Sequence, residues 1–341
     1  MIFPVSLPVM RLVLPLILTL CCSAAVAQDV HVRVDPAAPH ADPGNEDQVV
    51  FPTIQNALDH HPWPGKGGRV YIEIAPGTYH ERVIVTQLHP NVTLIGKGQK
   101  PEDVVITNSL NAKQGGGTYF TQTVEVNGDG FQADNLTFEN TAGNTGQAVA
   151  IVVRADKAIF KHCRFIGHQD TLFADYGRQY YVDSYIEGTV DFIFGNATAV
   201  FDHSELRELS PGYLTAQSRT SAEQATGYVI VNSKVTADEA GLAGKGFHLG
   251  RPWRPYSRVA FLNTELPATL APEGWDPWGK ESNKKTAYYA EFGNKGAGAD
   301  IKQRAPWAHQ LTAQQAKQYA PSVFLRGADK WRPEAEAAKL P

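Results

Sequence analysis

A short motif recurs along the middle of the chain and limits the folds open to it. Each copy has a small or polar residue, one variable residue and then an apolar residue. The first residues of successive copies are 28, 21, 20, 29 and 31 positions apart. Strands at such uneven intervals are typical of a solenoid with constant strands and variable loops. The copies are Asn135-Leu136-Thr137-Phe138, Cys163-Arg164-Phe165, Ser184-Tyr185-Ile186, Ser204-Glu205-Leu206, Ser233-Lys234-Val235 and Thr264-Glu265-Leu266.

The residue types around these copies indicate an all-β chain. Between about residues 69 and 266, short β-branched and aromatic runs alternate with Gly, Asn and Asp, and no long helical periodicity occurs. A β-sandwich would show hairpin turns every 8 to 12 residues or so, about half the spacing of the motif. We therefore predict a single-stranded parallel β-helix.

The strand edges and apolar interior at the ends of such a solenoid need a cover. Thr53 can cap a short helix that includes Ile54, Ala57 and Leu58, and Thr312 can cap another. We expect these helices to cover the ends. We expect residues 307–331 to pack along the outside of the solenoid.

The first 27 residues have the pattern of a signal peptide. Arg11 precedes an apolar run over residues 12–22, and Ala25-Val26-Ala27 is a small-x-small cleavage pattern. The run is too short to span a bilayer, and no later segment reaches the roughly 18 apolar residues that a span requires. We expect cleavage after Ala27, one domain over residues 28–341, and a secreted or periplasmic protein with no membrane anchor.

Charge and cysteine content exclude several partners and cofactors. The chain has 31 Lys plus Arg and 35 Asp plus Glu, and this net charge of −4 gives no reason to expect a nucleic acid. Cys163 is the one cysteine after residue 27, and its apolar neighbours favour a buried structural thiol. The sequence has neither a zinc-binding motif nor the Gly-x-Ser-x-Gly motif of serine esterases. We expect no metal, no cofactor and a monomer.

Two aspartates occupy the same position relative to consecutive copies of the motif. Asp170 follows Cys163 by seven residues, and Asp191 follows Ser184 by seven. Adjacent strands lie about 4.8 Å apart, so the two carboxyls should be stacked neighbours. At that distance the repulsion between two negative charges disfavours ionisation of both. Arg251 is a candidate cation that would keep Asp191 ionised and leave Asp170 as the proton carrier.

An aspartate after a strand can be no more than a turn former. Asp170 and Asp191, however, lie in the apolar or aromatic contexts Gln169-Asp170-Thr171-Leu172-Phe173 and Val190-Asp191-Phe192-Ile193-Phe194. An unpartnered carboxylate is costly in such surroundings, which favours a functional role for both residues.

Five segments carry a family resemblance. They are Gly77-Thr78-Tyr79-His80-Glu81, Gln147-Ala148-Val149-Ala150-Ile151, Gln169 to Leu172, Asp191 to Gly195 and Leu249 to Trp253. In this order they resemble the signature segments of the pectin methylesterases, the pectinesterase family of carbohydrate esterases, and the similarity covers nearly all of the chain after residue 27. The resemblance implies a right-handed parallel β-helix that hydrolyses the methyl esters of galacturonate units in pectin and releases methanol.

The resemblance also implies roles for individual residues. Asp191 would attack the ester carbonyl, while Asp170 would protonate the departing methanol and then activate water. Gln147 and Gln169 would supply neutral amide donors to the oxyanion, with the larger share from Gln147. Arg251 would hold Asp191 in its ionised form.

Several other side chains are candidate substrate contacts. Trp253 is the strongest candidate for a platform under a sugar ring, and Phe173, Phe194 and Tyr176 are secondary candidates. Arg219 could approach a substrate carboxylate. Packing for the aromatic residues, and a solvated surface position for the arginine, are the competing interpretations.

Other functions remain open on the sequence. Polygalacturonases and pectate lyases also use β-helices and acidic residues, and a retaining glycosidase would place its carboxylates about 5 to 5.5 Å apart. A polysaccharide-binding β-helix without activity, or a hydrolase of another acyl ester or thioester, are further alternatives. The two glutamines, the arginine and the aromatic segment at Asp191 favour the methyl ester reaction.

Overall fold

The computed structural model describes residue 1 and residues 28–37, 50–62 and 64–341. The predicted signal peptide therefore lies almost entirely outside the described residues. Among the described strands every pairing is parallel, and most partners come from the preceding or following coil of the chain. This is the predicted parallel β-helix, and the parallel pairing rules out a β-sandwich, which is built from antiparallel hairpins.

One long sheet, called sheet 1 here, runs along one side of the solenoid and contains twelve strands within the described residues. In the order in which they pair, its strands are Val50–Phe51, Val30–Val34, Val70–Ile74, Val92–Gly96, Gln132–Asp134, Ala158–Lys161, Arg178–Val182, Thr198–Asp202, Gly227–Val231, Arg258–Leu262, Tyr288–Phe292 and His309–Gln310.

A second sheet has two arms, which two long strands, Tyr185–Gly195 and Glu205–Gln217, run through and join. Besides these strands, the first arm contains Gly77–His80, Val104–Asn108, Thr137–Asn140, Arg164–Ile166 and Lys234–Ala237. The second arm contains Val83–Val85, Val124–Val126, Ile151–Arg154, Leu172–Tyr176 and His248–Gly250.

The motif copies lie side by side on the first arm. Tyr185 pairs with Arg164 on one side and Glu205 on the other, and Glu205 pairs with Lys234, as the motif predicts. The predicted alignment of the first copy is wrong by one residue. Thr137 pairs with Arg164, so the interval is 27 rather than 28 and Leu136, not Asn135, stands level with the small residue of the next coil.

Backbone geometry at the corner explains the small polar residue of the motif. The hydroxyl of Ser184 accepts a hydrogen bond from the backbone N–H of Cys163 at 3.1 Å, and Ser204 and Ser233 repeat this contact on the next coils at 3.2 and 3.0 Å. Each hydroxyl thus satisfies a backbone donor that would otherwise be left at the corner. The preceding residue has a left-handed backbone, which Asn, Asp and His tolerate better than most: His162, Asp183, His203, Asn232 and Asn263 have φ of 49 to 51°.

The interior is filled by stacked apolar side chains. Tyr181 lies between Phe160 and Phe201, with ring centroids 4.9 and 4.7 Å away and nearly parallel planes. Cys163 is buried among them, and its Sγ lies 3.2 Å from the carbonyl oxygen of Lys161. Burial raises the pKa of this thiol well above its ordinary value, so the prediction of a structural thiol is confirmed.

A helix covers the start of the interior, as predicted. It spans Ile54–His60, and Thr53 Oγ1 caps it by accepting the N–H of Asn56 at 3.1 Å. Glu81 accepts two further N–H groups of its first turn, at 3.1 Å each. The apolar side of the helix is buried in the core.

The second capped helix, Ala313–Ala316, begins after Thr312 as predicted but does not cover an end. It belongs to a C-terminal tail on the outer side of sheet 1, where Leu311, Tyr319 and Leu325 pack against outward side chains such as Val229. We call this side the covered face. It confirms the predicted external tail from Leu311 onward, whereas Trp307 and Ala308, at the start of the predicted segment, pack against the interior core. The other α-helices span Ala112–Gly115, Glu239–Leu242, Asn283–Thr286, Pro321–Phe324 and Pro333–Ala337. No helix in the described ranges is long and apolar enough to cross a bilayer.

Candidate active site

An apolar patch lies on the outer side of the second arm. Because side chains alternate along a strand, one set points into the core and the other points outward. Among the outward residues Phe173, Phe194 and Ala216 are buried, and Trp253 and Trp278 lie partly buried against them. We call this side the open face, because the C-terminal tail does not pack on it.

A cleft with a volume of about 370 Å³ opens on this face. It combines carboxyl, amide, guanidinium and aromatic groups, which belong to five successive coils and to the loops between them. Its lining consists of Thr118, Tyr119, Gln147, Gln169, Asp170, Asp191, Phe194, Ala216, Arg251, Trp253 and Trp278.

The two aspartates occupy equivalent positions on consecutive coils of the cleft. Leu172 pairs with Ile193 and Phe173 with Phe194, and this register puts Asp170 level with Asp191. Both aspartates have a left-handed backbone, with φ of 65° and 55°. Both are buried, with exposed fractions of 9% and 6%. The arrangement is the one that the count of seven residues predicts.

Arg251 forms a two-point ion pair with Asp191. Its Nε and one terminal nitrogen donate to the two carboxylate oxygens at 2.9 and 2.7 Å. The guanidinium carbon lies 4.0 Å from the ring centroid of Tyr213 and 3.7 Å from that of Trp278. These aromatic contacts and the two hydrogen bonds fix the plane of the guanidinium.

The surroundings give the two carboxyl groups different pKa values. Burial and the negative charge of Asp191 raise the pKa of Asp170 well above its ordinary value, against an opposing effect of Arg251. Burial also raises the pKa of Asp191, but the hydrogen bonds and the charge of Arg251 offset part of this rise. Asp170 therefore retains its proton to higher pH than Asp191, the carboxyl that has its own cation.

The remaining predicted residues differ in their access to the cleft. Gln147 and Gln169 line it, and so does Trp253, whose ring meets Phe194 edge-on at 5.9 Å. Phe194 lines the cleft although it is almost fully buried. Phe173 is not part of the lining, because it stacks on Phe194 at 4.4 Å and supports it from the neighbouring coil.

Two predicted substrate contacts lie away from the cleft. Tyr176 is 67% exposed at the end of strand Leu172–Tyr176 and is not part of the lining. Arg219 lines a different cavity and donates to the carbonyl oxygen of Ala222. Its strand ends at Gln217, and the Gln217 side chain accepts the backbone N–H of Arg219 at 3.0 Å, so the chain has already turned there.

Sequence reasoning missed several side chains of the site. Tyr213 pairs with Val190, the neighbour of Asp191, on the next coil and lies two positions beyond the count of seven from Ser204, because the pairing shifts register between Gly188 and Ile193. Thr118 and Tyr119 come from a loop with no repeat, and so does Trp278. Of these side chains, only Tyr213 could have been found from the sequence, because its coil is two residues longer than the preceding one.

The residues of the cleft do not form an obvious metal site. Within the part of the chain that the structure describes, no group of three or more His, Cys, Asp or Glu side chains is arranged to hold a metal ion. The basic group at Asp191 is Arg251, a side chain that cannot ligate a metal in its charged form.

Comparison with known proteins agrees with this geometry. The family model described as Pectinesterase matches residues 43–328. The chain belongs to the pectinesterase family. It is 38% identical over 284 residues to Pectinesterase 31 of Arabidopsis thaliana, with 80% of this chain and 88% of that protein covered. A solved pectin methylesterase from carrot has a TM-score of 0.80 and 32% identity, with 94% of this chain and 98% of that chain covered.

Some relatives of this pectinesterase-family chain are much longer. It is 41% identical over 300 residues to Probable pectinesterase/pectinesterase inhibitor 23 of Arabidopsis thaliana, covering 84% of this chain. It spans 52% of the length of that relative, about half.

Proposed function

We propose that this chain hydrolyses the methyl esters of galacturonate units in pectin, with release of methanol and de-esterified pectin. The observation that carries the proposal is a buried pair of carboxyls in register, one of them bound at two points by an arginine. Family membership supports the same reaction. A solved pectin methylesterase with 28% identity and a TM-score of 0.71, covering 91% of this chain, is in complex with a hexasaccharide.

Asp191 is the nucleophile in this proposal. Its carboxylate oxygen bonds to the ester carbonyl carbon, and the carbonyl electron pair moves onto the oxygen. The amides of Gln147 and Gln169, which line the cleft, donate to that oxyanion. Collapse of the tetrahedral intermediate breaks the bond to the methoxy oxygen and leaves an acyl-enzyme anhydride.

Asp170 acts first as the general acid and then as the general base in this proposal. In its neutral form it protonates the departing methoxy oxygen, and methanol leaves. The resulting Asp170 carboxylate then takes a proton from water, which attacks the anhydride and restores Asp191. The raised pKa of Asp170 suits a group that must hold a proton in the resting enzyme.

Arg251 and the aromatic residues prepare the cleft for this reaction. The ion pair keeps Asp191 ionised beside a second carboxyl, although burial alone favours its protonation. Trp253 and Phe194 offer flat apolar surfaces to the sugar rings, and Tyr119 lies across the same cleft. Phe173 supports the platform, while Tyr176 and Arg219 have no part in this cleft.

The processing, export and oligomeric state of the protein are also part of the proposal. We propose cleavage after Ala27, export to the periplasm or the medium, and a monomeric single domain over residues 28–341 that needs no cofactor. N-terminal sequencing and size-exclusion chromatography of the exported protein test these points. An intact N-terminus or a dimer-sized peak would contradict them.

The deciding experiment measures three products from highly methylated pectin. We expect methanol release with no shortening of the polymer and no unsaturated chain ends, and equal rates with and without a chelator. Chain shortening would instead indicate a polygalacturonase, and unsaturated ends a pectate lyase. A faster reaction with another acyl ester or a thioester, or no reaction at all, would overturn the methyl ester assignment.

A further inference from the structure

A second cavity of about 660 Å³ lies on the loops that lead out of the cleft. Its lining includes Arg219, Arg258 and Lys285 together with Tyr256, Tyr288 and Tyr319. Three cationic side chains and three phenol rings therefore share one cavity. The proposed reaction uses none of them.

The positive charge of this cavity is not balanced by an acidic group in its lining. No acidic side chain is present among its described lining residues, and none of its three cations forms an ion pair within the described ranges. Elsewhere arginines do have such partners: Arg178 binds two carboxylates, and Arg304 pairs with Glu291. Glu223 attracts Arg219 but is exposed and outside the lining.

Two of the cations are held close together and incompletely hydrogen-bonded. Burial and the positive charge of Arg258 lower the pKa of the Arg219 guanidinium. The Nε of Arg219 is buried and has no hydrogen-bond partner among the described residues. Arg258 lies over the rings of Tyr319 and Phe324, with its guanidinium carbon 5.5 and 5.0 Å from their centroids. An anion in the cavity would relieve the repulsion and occupy the unused donors.

The tyrosines narrow the chemistry of that anion. Phenol rings combine a flat apolar surface with a polar hydroxyl, a combination suited to sugar rings. Guanidinium groups match the planar fork of a carboxylate. A sugar that bears a carboxylate fits both features, and galacturonate without its methyl ester is such a sugar.

The cavity lies close enough to the cleft for one polymer to reach both. Ala216 lines the cleft and Arg219 lines the cavity, and three residues span at most about 11 Å. Trp253 and Tyr256 are separated by the same number of residues and connect the same two sites. The backbone N–H of Tyr256 donates to the carbonyl oxygen of Arg219 at 3.2 Å, which ties the two loops together.

We propose that this second cavity binds galacturonate units with free carboxylates, on the same polymer whose methyl esters enter the cleft. The inference rests on the proposed function and adds to it a preference for pectin that already carries de-esterified stretches. It also gives Arg219 the carboxylate contact that the sequence suggested, at a different place from the one expected.

Binding of two hexamers tests the proposal: unmethylated hexagalacturonate and its fully methylated counterpart, titrated calorimetrically at fixed ionic strength. We expect Arg219→Gln combined with Lys285→Gln to weaken binding of the free acid about fivefold to tenfold and to leave the methylated hexamer unchanged. The control combines Lys245→Gln with Lys317→Gln, which removes the same charge from exposed positions outside this cavity. Lys285→Gln alone, at an exposed position, covers the case in which the double variant fails to fold; we expect a twofold to threefold loss from it.

Three results would overturn the proposal. They are equal free-acid affinity in the cavity variant and the wild type, an equal loss in the control, and competition by inorganic phosphate as strong as that by the hexamer. Methanol release is measured separately on the wild type. A failed methanol assay with a selective loss of free-acid binding would contradict the reaction and not the site, and the opposite pair of results would contradict the site alone.

Discussion

The covered face and the open face are built alike, but what lies over them differs. On sheet 1, outward residues such as Val200, Val229 and Ala260 are packed under the C-terminal tail. On the second arm, Phe173, Phe194 and Ala216 point outward in the same manner. Their cover consists of two partly buried tryptophans that leave a cleft.

This difference separates stability from recognition within one repetitive fold. Apolar area removed from water by the tail stabilises the fold by about 25 cal/mol per Å². On the open face the same outward positions form the floor beneath the Arg251–Asp191 ion pair and the second carboxyl, Asp170. Substitutions on the two faces should therefore affect different measurements.

The largest effect is expected from the two aspartates. Asp170→Ala and Asp191→Ala should each lower the rate of methanol release roughly 10⁴-fold in a protein that remains folded, because each carboxyl forms or breaks bonds. The Asn variants test the same point, since Asn tolerates the left-handed backbone at both positions. Circular dichroism and a pectin assay check both statements.

Asp202→Asn is the matched control for this first prediction. Asp202 is equally buried but lies on sheet 1, where it accepts hydrogen bonds from Tyr180 and Asn232 at 2.8 and 3.1 Å. We expect it to lower stability and to leave turnover intact. Substantial activity in either Asp170 or Asp191 variant would contradict the proposed roles.

Arg251 and Trp253 should differ at saturating substrate. Arg251→Ala removes the cation of a partly buried ion pair and leaves the Asp191 carboxyl buried without its partner, which should lower kcat by about 10²-fold or more. Trp253→Ala should mainly raise KM, because its ring binds and does not set a charge. Equal losses of kcat would contradict this division of roles.

The same Arg251 variant should change the pH profile. Without the guanidinium, burial raises the pKa of Asp191 without opposition, and the nucleophile must be ionised to react. The acid limb of kcat/KM should therefore move to higher pH. An unmoved acid limb in Arg251→Ala would show that the arginine does not control the ionisation of Asp191.

On the covered face the effect should appear in stability alone. Leu325→Ala removes a fully buried side chain and should cost about 2–5 kcal/mol of unfolding free energy. Val323→Ala, at a 46% exposed position of the short helix that Leu325 follows, should cost about 0.5 kcal/mol or less. Denaturant unfolding measures both. Lower methanol release per folded molecule in Leu325→Ala would contradict the conclusion that the covered face affects stability alone.

The smallest effect concerns a carboxyl that belongs to neither face. Glu208 is fully buried, its oxygens have no hydrogen-bond partner among the described residues, and burial raises its pKa well above the ordinary 4.5. The folded state thus binds this proton more tightly than the unfolded state. The stability it contributes is complete below the unfolded-state pKa and is lost as pH rises through the folded-state pKa.

Glu208→Gln removes that titration. The melting temperature of this variant should rise relative to that of the wild type as the pH increases from about 4.5 to 8, because only the wild type loses a buried proton over this range. A constant difference between the two proteins over this range would contradict the assigned burial cost.

The sequence revealed the solenoid because its corners repeat a chemical requirement. Each coil needs a residue that tolerates a left-handed backbone and then a small hydroxyl group, and those residue types are visible in the motif. At the first corner this position is occupied by Leu136, which has no hydroxyl group. The first copy of the motif was therefore aligned incorrectly by one residue. The capped helix after Thr312 was recognised, but its location was not, because an N-cap says nothing about the surface on which a helix packs.

The aspartate pair was predictable for a related reason. The coils that begin at Cys163 and Ser184 have the same length up to Asp170 and Asp191, so counting was enough. The next coil contains two extra residues, and Tyr213 was missed. Tyr119 and Trp278 reach the cleft from loops, where no repeated requirement links sequence to position.

In two successive coils a single long strand runs through both arms, with an irregular backbone at Asp191 between the two halves of the first. One added residue within Tyr185–Gly195 would turn every later side chain of that strand to the opposite side and remove Phe194 from the platform. A segment outside the strands, such as 110–121, can lengthen or shorten without this penalty. If the chain acts on pectin as proposed, adaptation to different methylation patterns should accordingly change the loops at the rim of the cleft and leave Asp170, Asp191 and Arg251 in place.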